Sequence, residues 1–268
     1  MNDNLLTSDV NPDARPAATL VLFRERPGGP DELLVVERSV VMAFAGGAIV
    51  FPGGRVDLDD FAIAAQPDRL TSGAELERAE AAARIAAIRE TLEESGFAIG
   101  FETTPDADWI AAARPKLALS EPFSAILGEH RINLDALVPF ARWCPKHLEA
   151  RVFDTRFYLA KAPADAGDPI VDETENVHSF WASAADLLTA ADAGKVHVIY
   201  PTRRNLERLA LYPTFDDAAS HARATPVDPI SPHMEERDDG KHLCIPDGLG
   251  YPIISERLDA AITAFDKR

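Results

Sequence analysis

The chain has 268 residues, 46% hydrophobic and 26% charged, enough for a buried core in one large domain or one domain with an extension. Its formal charge of −17 argues against nucleic acid or an anionic membrane as the main partner, and no apolar run is long enough to span a membrane. Two cysteines, Cys144 and Cys244, are too few for a disulfide framework, and the polar, acidic start is no signal peptide, so a reducing cytoplasmic setting is expected.

Residues 1–16 read as a disordered lead-in. Ala17 to Phe23 and Glu32 to Glu37 are apolar, β-branched runs, and the turn Pro27-Gly28-Gly29-Pro30 between them predicts a hairpin. Ala48 to Phe51 predicts a strand leading into Pro52-Gly53-Gly54, where adjacent glycines allow close approach of backbone to a ligand. Arg55 to Ser72 is acidic and then irregular. Gly73 to Ser95 predicts a long helix, with Gly96 placed to end it at positive φ. Phe97 to Phe101 can pair as a strand. Asp106 to Leu119 and Glu121 to Glu129 predict two helices parted by Ser120-Glu121-Pro122. Leu137 to Trp143 and Val152 to Leu159 predict two strands. Ser183 to Ala193 predicts a helix with an N-terminal cap, and Thr202 to Leu211, preceded by Pro201, and Asp216 to Arg223 predict two more. Past Thr225, Ile230 to Glu236 and His242 to Ile245 flank Asp238-Asp239-Gly240 as a second hairpin. The alternation of elements implies an α/β or α+β fold.

The chemistry is concentrated in Arg89-Glu90-Thr91-Leu92-Glu93-Glu94-Ser95-Gly96. On a helix Glu90, Glu93 and Glu94 fall at i, i+3 and i+4, so their carboxylates share a face, while Ile85, Ile88 and Leu92 go to the core. Stacked carboxylates repel, and a hard divalent cation with oxygen ligands offsets that repulsion, with Arg89 as a fixed positive neighbour. A solvated acidic face is the alternative. There is no nucleophile elbow, no phosphate-loop lysine and no zinc pattern of cysteines and histidines.

This stretch resembles the Nudix box of the Nudix hydrolases, G-x₅-E-x₇-R-E-U-x-E-E-x-G-U, with U aliphatic. Thr91 and Phe97 take U positions, and counting back from Arg89 the glutamate and glycine positions hold Ala81 and Glu75. Phe51-Pro52-Gly53-Gly54 opens as a Nudix loop does, and Asp60 falls at the glutamate spacing from Gly54, as a shorter acid. The overlong gap from Asp60 to Arg89 reads as an insertion, residues 55–72, lying outside the ligand set and expected to vary freely. Gly73 and Glu80 are a near miss, one residue out of register at each spacing. The resemblance implies a mixed sheet sandwiched between helices, with a helical insertion: a domain over 17–223 and a packed C-terminal extension over 224–268.

By the same resemblance, Glu93 and Glu94 bind Mg²⁺ or Mn²⁺, Glu90 is a third ligand or the base, Arg89 orients the glutamates and the Gly54 carbonyl adds a metal ligand. Leu34, Arg38, Ser39, Gly47 and Phe51 to Gly54 match in register a coenzyme A signature of one Nudix branch, L-L-T-x-R-S-x₃-R-x₃-G-x₃-F-P-G-G, while valines replace its second Leu and Thr and Ala43 its second Arg. Arg38, Ser39, Gly53 and Gly54 are therefore the expected substrate contacts, with Arg203 or Arg204 helping at a phosphate. Glu175, upstream of Trp181, is a candidate extra ligand or base, and the aromatics of Asp154 to Tyr158 are candidates to stack on adenine. The implied activity is hydrolysis of coenzyme A or an acyl-CoA to 3′,5′-ADP and 4′-phosphopantetheine products. ADP-ribose or another nucleoside diphosphate conjugate, or a binding domain without turnover, are the alternatives, and a homodimer is admitted as the assembly.

Overall fold

A computed structural model describes residues 13–39, 45–146, 152–170 and 176–258. Ala43 and Glu175 lie outside these residues. β1 (Arg15–Arg24) and β2 (Glu32–Arg38) form the expected hairpin, with Phe23 opposite Leu33. β3 (Ala48–Val50) pairs with β2, and β4 (Gly53–Arg55) turns back onto β1. Next come α1 (Leu58–Ala64), β5 (Leu70–Ser72), α2 (Arg78–Ser95), α3 (Ala107–Ala118), α4 (Phe123–Leu127) and β6 (Ile132–Asn133). β7 (Val138–Trp143) is antiparallel to β8 (Phe153–Lys161), which runs parallel to β1. β9 (Asn176–Ala182) pairs with β2. It is followed by α5 (Ala184–Asp192), β10 (His197–Val198), α6 (Tyr200–Leu209), α7 (Phe215–Ala224) and β11 (Pro229–Ile230). β12 (His233–Arg237), β13 (Gly240–Cys244) and β14 (Ser255–Arg257) make a separate antiparallel sheet.

The main sheet is mixed, in the order β10-β3-β2-β1-β8-β7-β11, with β4 also on β1 and β9 also on β2. Side chains alternate across a strand, so β1 feeds two cores. Ala18, Leu20 and Leu22 pack with Ile85, Ile88 and Leu92 of α2 and with Phe123 and Leu127 of α4. Val21 and Phe23 pack on the other face with Leu187 of α5, Leu206 and Leu209 of α6 and Ala218 and Ala222 of α7. A fully buried Leu or Ile contributes about 1.5–3 kcal/mol, which is what holds both helical layers on the sheet. The fold is thus a mixed sheet between helices, as expected. Ile245, Leu249 and Tyr251, beyond residue 224, belong to the second core.

Four local expectations need correction. β1 starts at Arg15, inside the expected lead-in, because Arg15 and Pro16 pair with Phe153 and Asp154. α2 starts at Arg78 rather than Gly73: Gly73 has φ of 74° and accepts a turn bond from the Leu76 amide, and positive φ cannot continue a right-handed helix. The inserted segment is ordered as α1, a short 3₁₀ turn over Pro67–Arg69 and β5, because the Asp57 amide donates to Asp60 and opens a helix there. Phe97 to Phe101 forms no strand beyond one bridge from Phe101 to Ile132. Gly96 ends α2 as expected, at φ 80° with its amide bonded to the Leu92 carbonyl.

Candidate active site

The site forms where the start of β4 meets the C-terminal half of α2. Gly53 lies so close to β1 that an added Cβ would stand 2.5 Å from the Ala18 carbonyl oxygen. Its amide donates to Glu94 Oε2 at 3.0 Å. At Gly54 an added Cβ would stand 2.4 Å from the Glu90 carboxyl carbon. Adjacent glycines let the backbone press against two of the three glutamates, where any side chain would intrude.

Arg89 is nearly buried and fully engaged. Its Nε and Nη2 form a fork on Asp60, at 3.1 and 2.9 Å, Nη1 donates to Glu90 Oε1 at 2.7 Å and Nη2 to the Arg55 carbonyl at 2.9 Å. Burial opposes its charge, but Glu90 and Asp60 outweigh burial and raise its pKa. Burial raises the Asp60 carboxyl, and the bond and charge of Arg89 act against that rise. Glu90 is likewise raised by burial, with Arg89 opposing. Asp60 is fully buried, so the expectation that the insertion stands apart from the site is wrong: α1 supplies the anchor that fixes Arg89. The sequence marked Asp60 by spacing but did not show this partnership, because burial of both groups is a tertiary fact.

A cavity of about 780 Å³ opens beside the glutamates. Glu90, Glu93 and Glu94 line it together with Gly53, Gly54 and Arg89. Phe51, Trp143, Phe153 and Phe157 give it an aromatic wall, Arg38 and Arg55 contribute cations, and Pro201 and Thr202 at the start of α6 close one side. Asp57 and Asp59 add further carboxylates from the insertion. The donors are all oxygens, which suits Mg²⁺ or Mn²⁺, and the glycine pair brings the backbone up against Glu90 and Glu94. Glu90 accepts from Arg89 and Glu94 from the Gly53 amide, while Glu93 lines the cavity beside them.

The other expected residues divide. Arg38 lines the cavity; Ser39, just past the end of β2, is not among the lining residues. Phe157 faces the cavity, but its neighbour Tyr158 packs in the opposite core under Arg84. Arg204 is buried, with Nη2 2.9 Å from Glu207 and 3.1 Å from Glu256, and Arg203 bonds Asp192 at 2.6 Å. Neither lines the cavity, so the expected help at a phosphate is not available from them. Glu80, the near miss, pairs with Arg84 and Arg156 instead. Asp57, Asp59 and the aromatic wall were not foreseen as a set; they come from separate segments with no shared spacing.

No family model and no curated protein matches the chain. Solved structures do. A Nudix hydrolase from Alicyclobacillus acidocaldarius is 29% identical, with a TM-score of 0.65, over 78% of this chain and 96% of that one. A MutT Nudix hydrolase from Burkholderia pseudomallei is 18% identical, with a TM-score of 0.39, over 72% and 96%. The Nudix domain of Shewanella oneidensis NrtR, solved with ADP-ribose, is 13% identical, with a TM-score of 0.42, over 84% and 100%. By its fold and by the likeness to the Alicyclobacillus enzyme, the chain groups with the Nudix hydrolases, as an enzyme of the diphosphatase type.

Proposed function

We propose that the protein is a Mg²⁺- or Mn²⁺-dependent hydrolase of a diphosphate linkage in coenzyme A or an acyl-CoA. The observation that carries this reading is the convergence of Glu90, Glu93 and Glu94 on one cavity that also holds Arg38 and an aromatic wall. Glu93 and Glu94 hold the ion, joined by the Gly54 carbonyl and by Glu90. When bound, the metal neutralises the diphosphate and lowers the pKa of the attacking water. Arg89, locked by Asp60, keeps Glu90 in place. Glu90 and Glu175 are the candidates for the base that takes the proton of the water. The aromatic wall suits an adenine ring, and Arg38 suits the 3′-phosphate of coenzyme A, since a guanidinium binds phosphate through paired donors. Water attack at phosphorus gives 3′,5′-ADP and a 4′-phosphopantetheine product. Cys144 and Cys244 are buried and not in a disulfide, which suits the reducing cytoplasm.

The test compares wild type and Arg38→Ala on coenzyme A and on dephospho-coenzyme A. A charge-assisted bond contributes about 1.5–3 kcal/mol, so Arg38→Ala is expected to lose roughly 10–100-fold in kcat/KM on coenzyme A and much less on the dephospho compound. Equal losses on both exclude a role for Arg38 at the 3′-phosphate. A wild-type preference for ADP-ribose over both substrates overturns the coenzyme A reading and leaves the diphosphatase.

A further inference from the structure

The small sheet of the C-terminal extension carries an unusual set of side chains on one face. In the β12–β13 ladder His233 stands opposite Cys244 and Glu235 opposite His242, so these side chains point the same way. Among the described residues, His233, Glu235 and Cys244 are the group of three metal-ligating side chains whose donor atoms all lie within 4.8 Å of one another. His233 Nε2 is 3.2 Å from Glu235 Oε1. The other carboxylate oxygen, Oε2, accepts from Arg237 at 2.7 Å. Arg237 and His233 hold the Glu235 carboxyl below its ordinary range.

We propose that His233, Glu235 and Cys244 form a second metal site, which takes a borderline transition ion such as Zn²⁺. One imidazole nitrogen, one carboxylate oxygen and one thiolate are the ligand types of tetrahedral Zn²⁺, whereas the all-oxygen glutamate cavity suits Mg²⁺. Neighbouring strands fix the spacing of the three residues. His233 and Glu235 are half exposed and Cys244 is buried, so an ion enters from the open side and water completes the shell. Arg237 donates to Cys244 Sγ at 3.5 Å, and it is the cation the cluster holds in this structure. The metal takes its place at sulfur, while Arg237 stays on Oε2 and orients the ligating carboxylate. The Cys244 thiol gives up its proton to solvent as the metal–sulfur bond forms.

Co²⁺ titration of the full chain tests this, because a cobalt–thiolate bond produces a near-ultraviolet charge-transfer band that an oxygen-only site cannot give. One equivalent of Co²⁺ is expected to develop that band, with Zn²⁺ displacing it. Glu93→Gln is expected to keep it; Cys244→Ser and His233→Gln are expected to lose it. Absence of the band in wild type, or its persistence in Cys244→Ser, overturns the proposal. If Cys244→Ser does not fold, the exposed His233→Gln decides: a band of wild-type strength there overturns the proposal equally. None of these outcomes depends on the activity proposed for the glutamate cavity.

Discussion

Two helices on opposite faces of the main sheet bury arginines in contrasting company. On α2, Arg89 meets an excess of acid: Asp60 and Glu90 take its donors, and Glu93 and Glu94 line the cavity as well. On α6 itself three arginines accompany one glutamate. Arg203 and Arg204 share Glu207, with Asp192 and Glu256 as further partners. Arg208 has no carboxylate partner among the described residues; it donates to the Phe140 carbonyl and to His221 Nε2, both at 3.0 Å, and lies over the rings of Phe140 and Tyr251. Burial lowers its pKa. The lesson concerns what surplus charge can do. Surplus acid beside an open cavity can bind a cation. Base packed within the fold ties α6 to strands and to its neighbouring helices.

The largest expected effect is on activity. Glu93→Gln and Glu94→Gln keep side-chain shape and remove the charge that would hold the metal, so each should lose at least ~100-fold in kcat/KM at limiting Mg²⁺. The circular dichroism spectrum should stay as in wild type. Near-wild-type turnover in both would remove the distinction between a working acidic helix and a merely solvated one.

Next comes stability, where the two arginines should part. Asp60→Asn leaves Arg89 buried without its carboxylate, and breaking such a pair costs about 3–5 kcal/mol. Arg208→Met replaces a buried cation with an apolar side chain and should be near neutral, within about 2 kcal/mol. Urea unfolding of both variants makes the comparison. A larger loss for Arg208→Met than for Asp60→Asn would reverse it.

The glycine pair sharpens the picture of the α2 side. In Gly53→Ala the new Cβ meets the Ala18 backbone, which cannot swing away, so stability should fall by about 1–3 kcal/mol. In Gly54→Ala it meets the flexible end of Glu90, so Tm should move less while kcat falls. If both variants lose stability equally, Glu90 is as rigid as backbone.

The smallest effect is a pH dependence. Burial and then Arg208 lower the His221 pKa below 6.5. Arg208 donates to Nε2, so the proton of the neutral ring is on Nδ1, facing Tyr212. Above pH 6.5 neither state is charged and this contribution is complete. As pH falls from 6.5 toward the folded pKa, only the unfolded chain takes up the proton, and stability is lost. Between about pH 7 and 5, Tm should therefore drop more steeply for wild type than for His221→Gln. Asp60 and Glu90 have the opposite sign: burial raises their pKa, so their contribution falls as pH rises through the folded value. Parallel profiles for wild type and His221→Gln would show that His221 is not desolvated.

Much was legible in the sequence because it is local. The β1–β2 hairpin follows from two apolar runs about a Pro-Gly turn, and the shared face of Glu90, Glu93 and Glu94 from helix periodicity. The end of α2 at Gly96 follows from the one residue type at ease with positive φ. Elements that depend on a partner were misjudged. Gly73 could not be seen to leave the helix, and the inserted segment looked irregular because Asp60 finds Arg89 only in the folded chain. Arg203 and Arg204 looked free for a phosphate because sequence spacing carries no record of Asp192 meeting Arg203, or of Glu256 reaching Arg204 from far along the chain. Amino-acid order by itself determined the local elements and the carboxylate face, since backbone geometry decides both within a few residues. Only the tertiary structure decided which charges are consumed in pairs and which remain facing a cavity, because long-range packing decides where water is excluded.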